Sequence, residues 1–222
     1  MLLVLRELVS GATRYSELQR GLGRISPSVL STRLKALIEH GIIERVPSAR
    51  TQGGEYRLTT AGVELTAVIE SIGLWGQRWV RSRMSSDELD VELLMLHLQR
   101  NFNTGAFAKD HAVVAFVFSD LHGELRRWWL LLDDENVELC AQPPGRDEDV
   151  TLTCRLRTLS EIFVGDTTIQ AALREGSLLV EGPAKLTRSL RQWLQPSPLA
   201  TVAPAASAGA TRSPRVRRVD MA

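Results

Sequence analysis

Two cysteines, Cys140 and Cys154, are too few for a disulfide framework in a chain of 222 residues. With no export signal ahead of them they read as reduced thiols. Long apolar runs are missing too, since none reaches the roughly 18 residues that cross a bilayer. The opening MLLVLRELVSG is partly apolar, but it lacks a basic start and carries Arg6 and Glu7, so it does not read as a secretory signal. Secreted, membrane-spanning and disulfide-stapled classes are thereby excluded, and the expected location is cytoplasmic. Catalytic signatures are wanting as well. His40, His97, His111 and His122 share no metal-ligand spacing with one another or with the cysteines. Asp133-Asp134-Glu135 and Asp147-Glu148-Asp149 read as turn acids, and no glycine-rich phosphate loop or nucleophile elbow is found. The expectation is a protein that is not an enzyme, with no catalytic residue, metal or cofactor.

What is present is ordinary in bulk and uneven in detail. Apolar residues make up 44% and charged residues 24%, the proportions of a folded globular chain. The length suits two domains of about 80 and 110 residues. The net charge of +1 hides a gradient: residues 1–84 hold 12 basic and 7 acidic side chains, residues 85–199 hold 11 and 18, and residues 200–222 hold 4 and 1. A basic front on an acidic body assigns polyanion binding to the front. A solvated surface with no partner would give the same charges.

The first 84 residues read as three helices, a hairpin and a long helix. Leu2, Leu5, Leu8 and Val9 recur at helical spacing before Gly11, and a short helix runs from about Tyr15 to Leu22. Ser26 suits an N-cap and Pro27 the first helical position, where its missing N–H costs nothing. From there Leu30, Leu34, Leu37 and Ile38 share one flank, while Ser28, Thr32, Lys35 and Glu39 occupy the other. That second flank is short, polar and largely hydroxylic or basic, so it fits a DNA groove. Strand-like Ile42–Val46 and Glu55–Leu58 follow, joined by a polar tip over 47–54. A helix-turn-helix followed by such a ribbon is the winged-helix arrangement, with the third helix in the major groove. The expected DNA contacts are Ser26, Ser28, Ser31, Thr32, Arg33 and Lys35, with Arg50 and Gln52 on the wing and Arg57 beside them.

The stretch RYSELQRGLGRISPSVLSTRLKALIEHGIIERV, followed by EYRLTTAGVELTAVIESIGLWGQRW, resembles the HxlR-type winged-helix regulators. The resemblance covers residues 1–80 and implies sequence-specific binding to double-stranded DNA in a bacterial-type transcriptional regulator. It also implies an additional N-terminal piece carrying a Cys-Pro, so either the start is assigned late or the piece is lacking. Thiol sensing through such a cysteine does not carry over, because no cysteine precedes Cys140. After Thr59, the residues Ala61, Leu65, Val68, Ile69, Ile72, Trp75 and Trp79 form a stripe that needs a partner. In the resembled family it belongs to a homodimer interface, which sets two reading helices on two half-sites. Packing on its own domain or on the C-terminal body is the alternative.

The acidic body reads as mixed helix and sheet. Ser85-x-x-Glu88 is a capping box before a helix to about Arg100. Strands are expected at Ala112–Phe118, Arg127–Leu132, Asn136–Ala141 and Val150–Leu156, the first two apolar enough to be covered on both faces. A second capping box, Thr158-x-x-Glu161, opens a helix through Val164, and another runs from about Thr167 to Arg174. Ser177–Glu181 is a last strand, and Gly182-Pro183 opens a terminal helix with Leu186, Leu190, Trp193 and Leu194 inward. This order, and above all LSEIFVGDTTIQAALREGSLLVEG, resembles the sterol-carrier-protein fold. The resemblance implies an apolar tunnel for a lipid-like ligand, with Phe116, Phe118, Trp128, Trp129, Leu130, Ile162, Phe163, Ile169, Leu173 and Trp193 as the candidates to line it. Ordinary core packing is the competing reading for each.

The expected architecture is α+β: a winged helix-turn-helix domain over 1–84, a sterol-carrier-protein-like α/β domain over 85–195, and a disordered tail over 196–222, which holds four of the nine prolines. The expected function is a homodimeric DNA-binding regulator whose C-terminal domain takes a hydrophobic ligand that modulates DNA binding. The alternative is the same regulator with a ligand-free body serving dimerisation or scaffolding. A third possibility is a lipid carrier or enzyme accessory module whose winged helix contacts protein.

Overall fold

The computed structural model describes residues 1–23, 25–48, 51–79, 89–107, 109, 111–134, 136–203 and 205. Helices α1 (Leu2–Val9), α2 (Tyr15–Gly21) and α3 (Pro27–Glu39) are followed by strands β1 (Ile43–Ser48) and β2 (Thr51–Leu58). The leucine flank of α3 does what its spacing requires. Leu30, Leu34 and Leu37 are buried against Val4, Leu5, Leu8, Leu18 and Ile43, closing one small core. Gly41 takes a positive φ of 66°, so the chain turns sharply out of α3 and into β1, a conformation costly for residues with a Cβ. β1 and β2 pair antiparallel from Ile43 with Leu58 to Ser48 with Thr51. The ribbon is therefore longer than expected, because most of the polar tip is strand.

The helix after Thr59 also differs from its sequence reading. It is broken at Leu65 into α4 (Thr60–Glu64) and α5 (Thr66–Trp79). Leu65 and Ile69 pack on the N-terminal core, but α5 has no buried residue. The expected capping box at Ser85 lies outside the described residues. Helix α6 (Val91–Arg100) is capped by Asp90, whose carboxylate accepts from Leu93 N–H at 3.1 Å.

The body is a five-stranded sheet in the order β5-β4-β3-β6-β7, from β3 (His111–Phe118), β4 (Arg127–Asp133), β5 (Asn136–Cys140), β6 (Val150–Cys154) and β7 (Leu178–Glu181). β3 and β6 run parallel and every other pair is antiparallel. The period-2 alternation of strands sorts the side chains. Ala112, Val114, Phe116 and Phe118 face the main core, and Val113 and Ala115 face the reverse side with Trp129. Glu148 closes that reverse side by accepting from Trp129 Nε1 at 2.8 Å, Arg127 Nη2 at 2.9 Å and Thr151 Oγ1 at 3.1 Å. It is a tether for two strands and more than a turn acid.

Helices α7 (Leu156–Val164), α8 (Ile169–Arg174), α9 (Ala184–Arg188) and α10 (Leu190–Trp193) complete the body. Two boundaries shift. α7 starts two residues before the expected cap at Thr158, because Asp120 accepts from Leu156 N–H at 2.9 Å and ends β6 early. The terminal helix is interrupted at Ser189, although Leu186, Leu190, Trp193 and Leu194 are all buried as expected. Part of the expected tail packs down: Ser197 N–H donates to Phe163 O at 2.8 Å, and Ala200 lies against Gly165. Among the described residues no helix is long and apolar enough to cross a membrane.

Candidate nucleic-acid interface

Helix α3 is built to be held from one side. Ser26 Oγ accepts from Val29 N–H at 3.4 Å, capping the helix, and Pro27 occupies the first turn. Tyr15, the first residue of α2, donates its hydroxyl hydrogen to Pro27 O at 2.9 Å and lies 3.3 Å from Ser31 Oγ, fixing α2 to the start of α3. Ser26, Ser28, Ser31, Thr32 and Lys35 are all exposed, and Arg33 is half-buried. Ser28, Ser31, Thr32 and Lys35 thus share one face below the Ser26 cap, while Arg33 lies round the helix beside the leucine flank. Further local contacts tie these hydroxyls: Thr32 Oγ1 donates to Ser28 O at 2.9 Å, and Ser28 Oγ lies 3.2 Å from Ser26 Oγ. Each retains acceptor capacity. Lys35 stands 3.7 Å from Glu39 with its side chain 80% exposed, a pair too solvated to hold the ammonium against a phosphate.

The wing is only partly visible. Arg50 and the side chain of Gln52 lie outside the described residues. Arg57 is exposed but donates to Glu55 at 3.1 Å, and Ser48 donates to the same carboxylate at 2.9 Å. These two hydrogen bonds, Ser48 first, hold the Glu55 carboxyl below its ordinary range. Arg57 is therefore partly neutralised for phosphate contact. Arg45 stacks over Tyr56 at 5.9 Å on the same ribbon.

The exposed stripe on α5 is pronounced. Val68, Ile72, Trp75 and Trp79 are 44–59% exposed, a large apolar face left uncovered among the described residues.

In the body, eight of the ten residues named as candidate ligand lining, Phe116, Phe118, Trp128, Leu130, Ile162, Phe163, Ile169 and Trp193, are buried in the main core, whereas strand alternation turns Trp129 to the reverse face of the sheet. Leu173 departs from the expectation: it is 41% exposed, on the outer side of the short α8. Trp193 packs with Phe102 and Phe107 and donates Nε1–H to Leu186 O at 2.9 Å, so it serves the core. Burial pushes the Cys154 thiol up to about 12, and Cys140 is raised by burial and by Glu138; neither is poised as a thiolate. A cavity of about 1110 Å³ opens between the two domains, with Leu3, Arg6 and Arg20 on one wall and Leu89, Leu121 and Leu125 on the other.

The sequence reading missed Glu7 and Tyr15. Tyr15 lay inside a quoted motif without a role, and Glu7 counted only against a signal peptide. A lone carboxylate in the apolar helix LLVLRELV was the available signal, because such a group needs a partner when buried.

A helix-turn-helix with a β-ribbon wing, joined to a helix-backed five-stranded sheet, defines a two-domain class with a winged helix in front. Comparison with known proteins gives the family. Residues 1–84 match the HxlR-like helix-turn-helix model, and residues 96–195 match the SCP-2 sterol transfer family. An HTH-type transcriptional regulator of Bacillus subtilis, YvaP, is 34% identical over 80 residues, 35% of this chain and 73% of that protein. The chain belongs to the HxlR-like helix-turn-helix family. The HTH-type transcriptional regulator Rv3095 of Mycobacterium tuberculosis, itself uncharacterized, is 44% identical over 80 residues, covering 36% of this chain. The chain spans half the length of that relative, 50%. Sterol carrier protein 2 of Yarrowia lipolytica superposes on 48% of this chain and 98% of its own, with 17% identity and a TM-score of 0.35.

Proposed function

We propose that this protein is a DNA-binding transcriptional regulator that acts as a homodimer through α5 and carries a hydrophobic-ligand domain behind its reading head. The observation that carries this reading is the exposed hydroxyl-and-amine flank of α3, offered on a helix whose Leu30, Leu34 and Leu37 are buried in the core, although Ile38, expected on the same flank, is 39% exposed at the end of the helix. The basic balance of residues 1–84 supports it, since a net positive head approaches a phosphate backbone with release of counterions. The exposed α5 face supports the dimer, and two copies would carry two α3 helices to two half-sites. Domain limits of 1–84 and 85–195, with residues 196–222 as a tail, belong to the same proposal. Titrating the full chain into duplex DNA at several salt concentrations tests it. A steep fall of affinity with salt is expected, and salt-independent or absent binding refutes it.

For the body, the matched SCP-2 sterol transfer family supports a lipid-like ligand. Each buried methylene of such a ligand contributes about 0.8 kcal/mol, enough to bind with few polar contacts. A ligand alters DNA binding only if it prefers one arrangement of the two domains over another. The second reading is a ligand-free body that serves as a scaffold, and the tight burial of the expected lining residues favours it. Native mass spectrometry after gentle purification separates the two: a retained lipid supports the first, and a bare mass that no added fatty acid shifts supports the second.

A further inference from the structure

Glu7 is the sole buried charged residue among the described residues, with no exposed surface at all. An isolated carboxylate in that position is costly, so its partners carry the information. Arg6 donates to Oε1 through Nε at 3.0 Å and Nη2 at 2.7 Å. Arg100, at the end of α6 in the other domain, donates to Oε2 through Nη2 at 2.8 Å. The carboxylate therefore bridges reading head and body. Arg6 Nη2 also donates to Gly21 O at 3.3 Å, the last carbonyl of α2. Gly21 is there because nothing larger fits, since a Cβ on it would fall on the Glu7 carboxylate. The other end of α2 is tied to α3 by Tyr15 and Pro27 O. An unbroken path of bonds thus runs from Arg100 through Glu7, Arg6 and α2 to the reading helix.

The body side of the path is equally fixed. His97, one turn before Arg100 on α6, stacks on Phe163 with ring centroids 5.8 Å apart, and Phe163 O accepts from Ser197 N–H. Arg100 Nη1 is buried without a hydrogen-bond partner among the described residues, so Glu7 is the anion on which this guanidinium depends.

We propose that Glu7 is a positioning residue for DNA reading, a desolvated ionic bridge that sets the angle at which α3 is presented relative to the body. The proposal rests on the regulator reading. It differs from simple core stabilisation, because the bridge joins two units that each have their own apolar core.

The test uses the full chain as wild type and as Glu7→Gln, Gly21→Ala and Arg100→Lys, together with the Glu7→Gln/Arg100→Lys double variant. A duplex is selected from a random pool by the wild type, and versions with one to three base pairs inserted between its half-sites are compared. The wild type should discriminate the selected spacing by tenfold or more. Each single variant should lose most of that discrimination while binding the selected duplex within a fewfold. The double variant should be no worse than Glu7→Gln, because both changes break one bridge. Hydrogen exchange without DNA should rise at the ends of α2 and α6 and stay unchanged in β3 and β4. Discrimination retained in folded variants overturns the proposal, as does loss of cooperative folding in all three single variants, which would make the cluster a folding requirement. A wild type that binds no DNA refutes the regulator reading instead.

Discussion

Lys35 extends from the middle of α3 with its side chain 80% exposed and only a solvated carboxylate near it. A phosphate contact of this kind is insensitive to sequence, so Lys35→Ala should weaken binding to all duplexes alike and reduce the salt slope by about one. Thr32 is shorter and hydroxylic, and Thr32→Ala should instead relax selectivity at one position, by about 1–3 kcal/mol between right and wrong base. Binding isotherms across a set of single-substitution duplexes distinguish the two patterns. His97 offers a separate measurement. Burial first, then the charges of Arg6 and Arg100, lowers it to about 4 from an ordinary value near 6.5. Its folded state is therefore neutral where the unfolded chain takes a proton. Stability should be unaffected above about pH 6.5 and fall as pH drops from there towards about 4, by up to about 3 kcal/mol. Urea midpoints at pH 7 and pH 4.5 should differ less in His97→Gln than in the wild type.

At the scale of elements, α5 carries an apolar stripe that the described residues leave uncovered. Trp75 is the most exposed of its aromatics at 59%, and with Ile72 and Trp79 it would form the centre of the proposed dimer face. Trp75→Glu places a charge where an aromatic anchor should be desolvated, and the expected cost is about 2 kcal/mol or more of association. Light scattering at micromolar concentration should show the wild type as a dimer and the variant shifted to monomer with its helix content unchanged. The capping of α3 is a smaller lever. Ser26→Ala removes the acceptor for Val29 N–H and should cost about 1 kcal/mol, read as a lower melting temperature.

Across the whole molecule, the sequence disclosed most where a strong periodicity met an abrupt stop. Leu30, Leu34 and Leu37 repeat at helical spacing between a Ser-Pro start and a glycine stop, so α3 could be read from its first residue, Pro27, to within one residue of its end at Glu39. The near-continuous apolar runs of β3 and β4 were equally plain, and both strands are buried on both faces. Boundaries set by distant partners were not legible: β6 ends where Asp120 captures Leu156 N–H, thirty-six positions away in sequence. Leu173 matched the pattern of an inward residue, but α8 is a short helix at the surface and turns it out. The break at Leu65 escaped because every residue from Thr60 to Trp79 is compatible with one helix.

Local chemistry in the chain itself determined most of the elements, the leucine and hydroxyl flanks of α3, the basic front and the two family resemblances. These depend on neighbours three or four positions apart, which any reader of the sequence can count. Only the folded molecule decided that Glu7 would be sealed between Arg6 and Arg100, that Gly21 must lack a side chain, and that the stripe on α5 would stay uncovered. The first of these depends on groups more than ninety positions apart being brought within 3 Å, as Glu7 and Arg100 are. A buried charge reveals its partner only once tertiary packing has removed the water that would otherwise serve in its place.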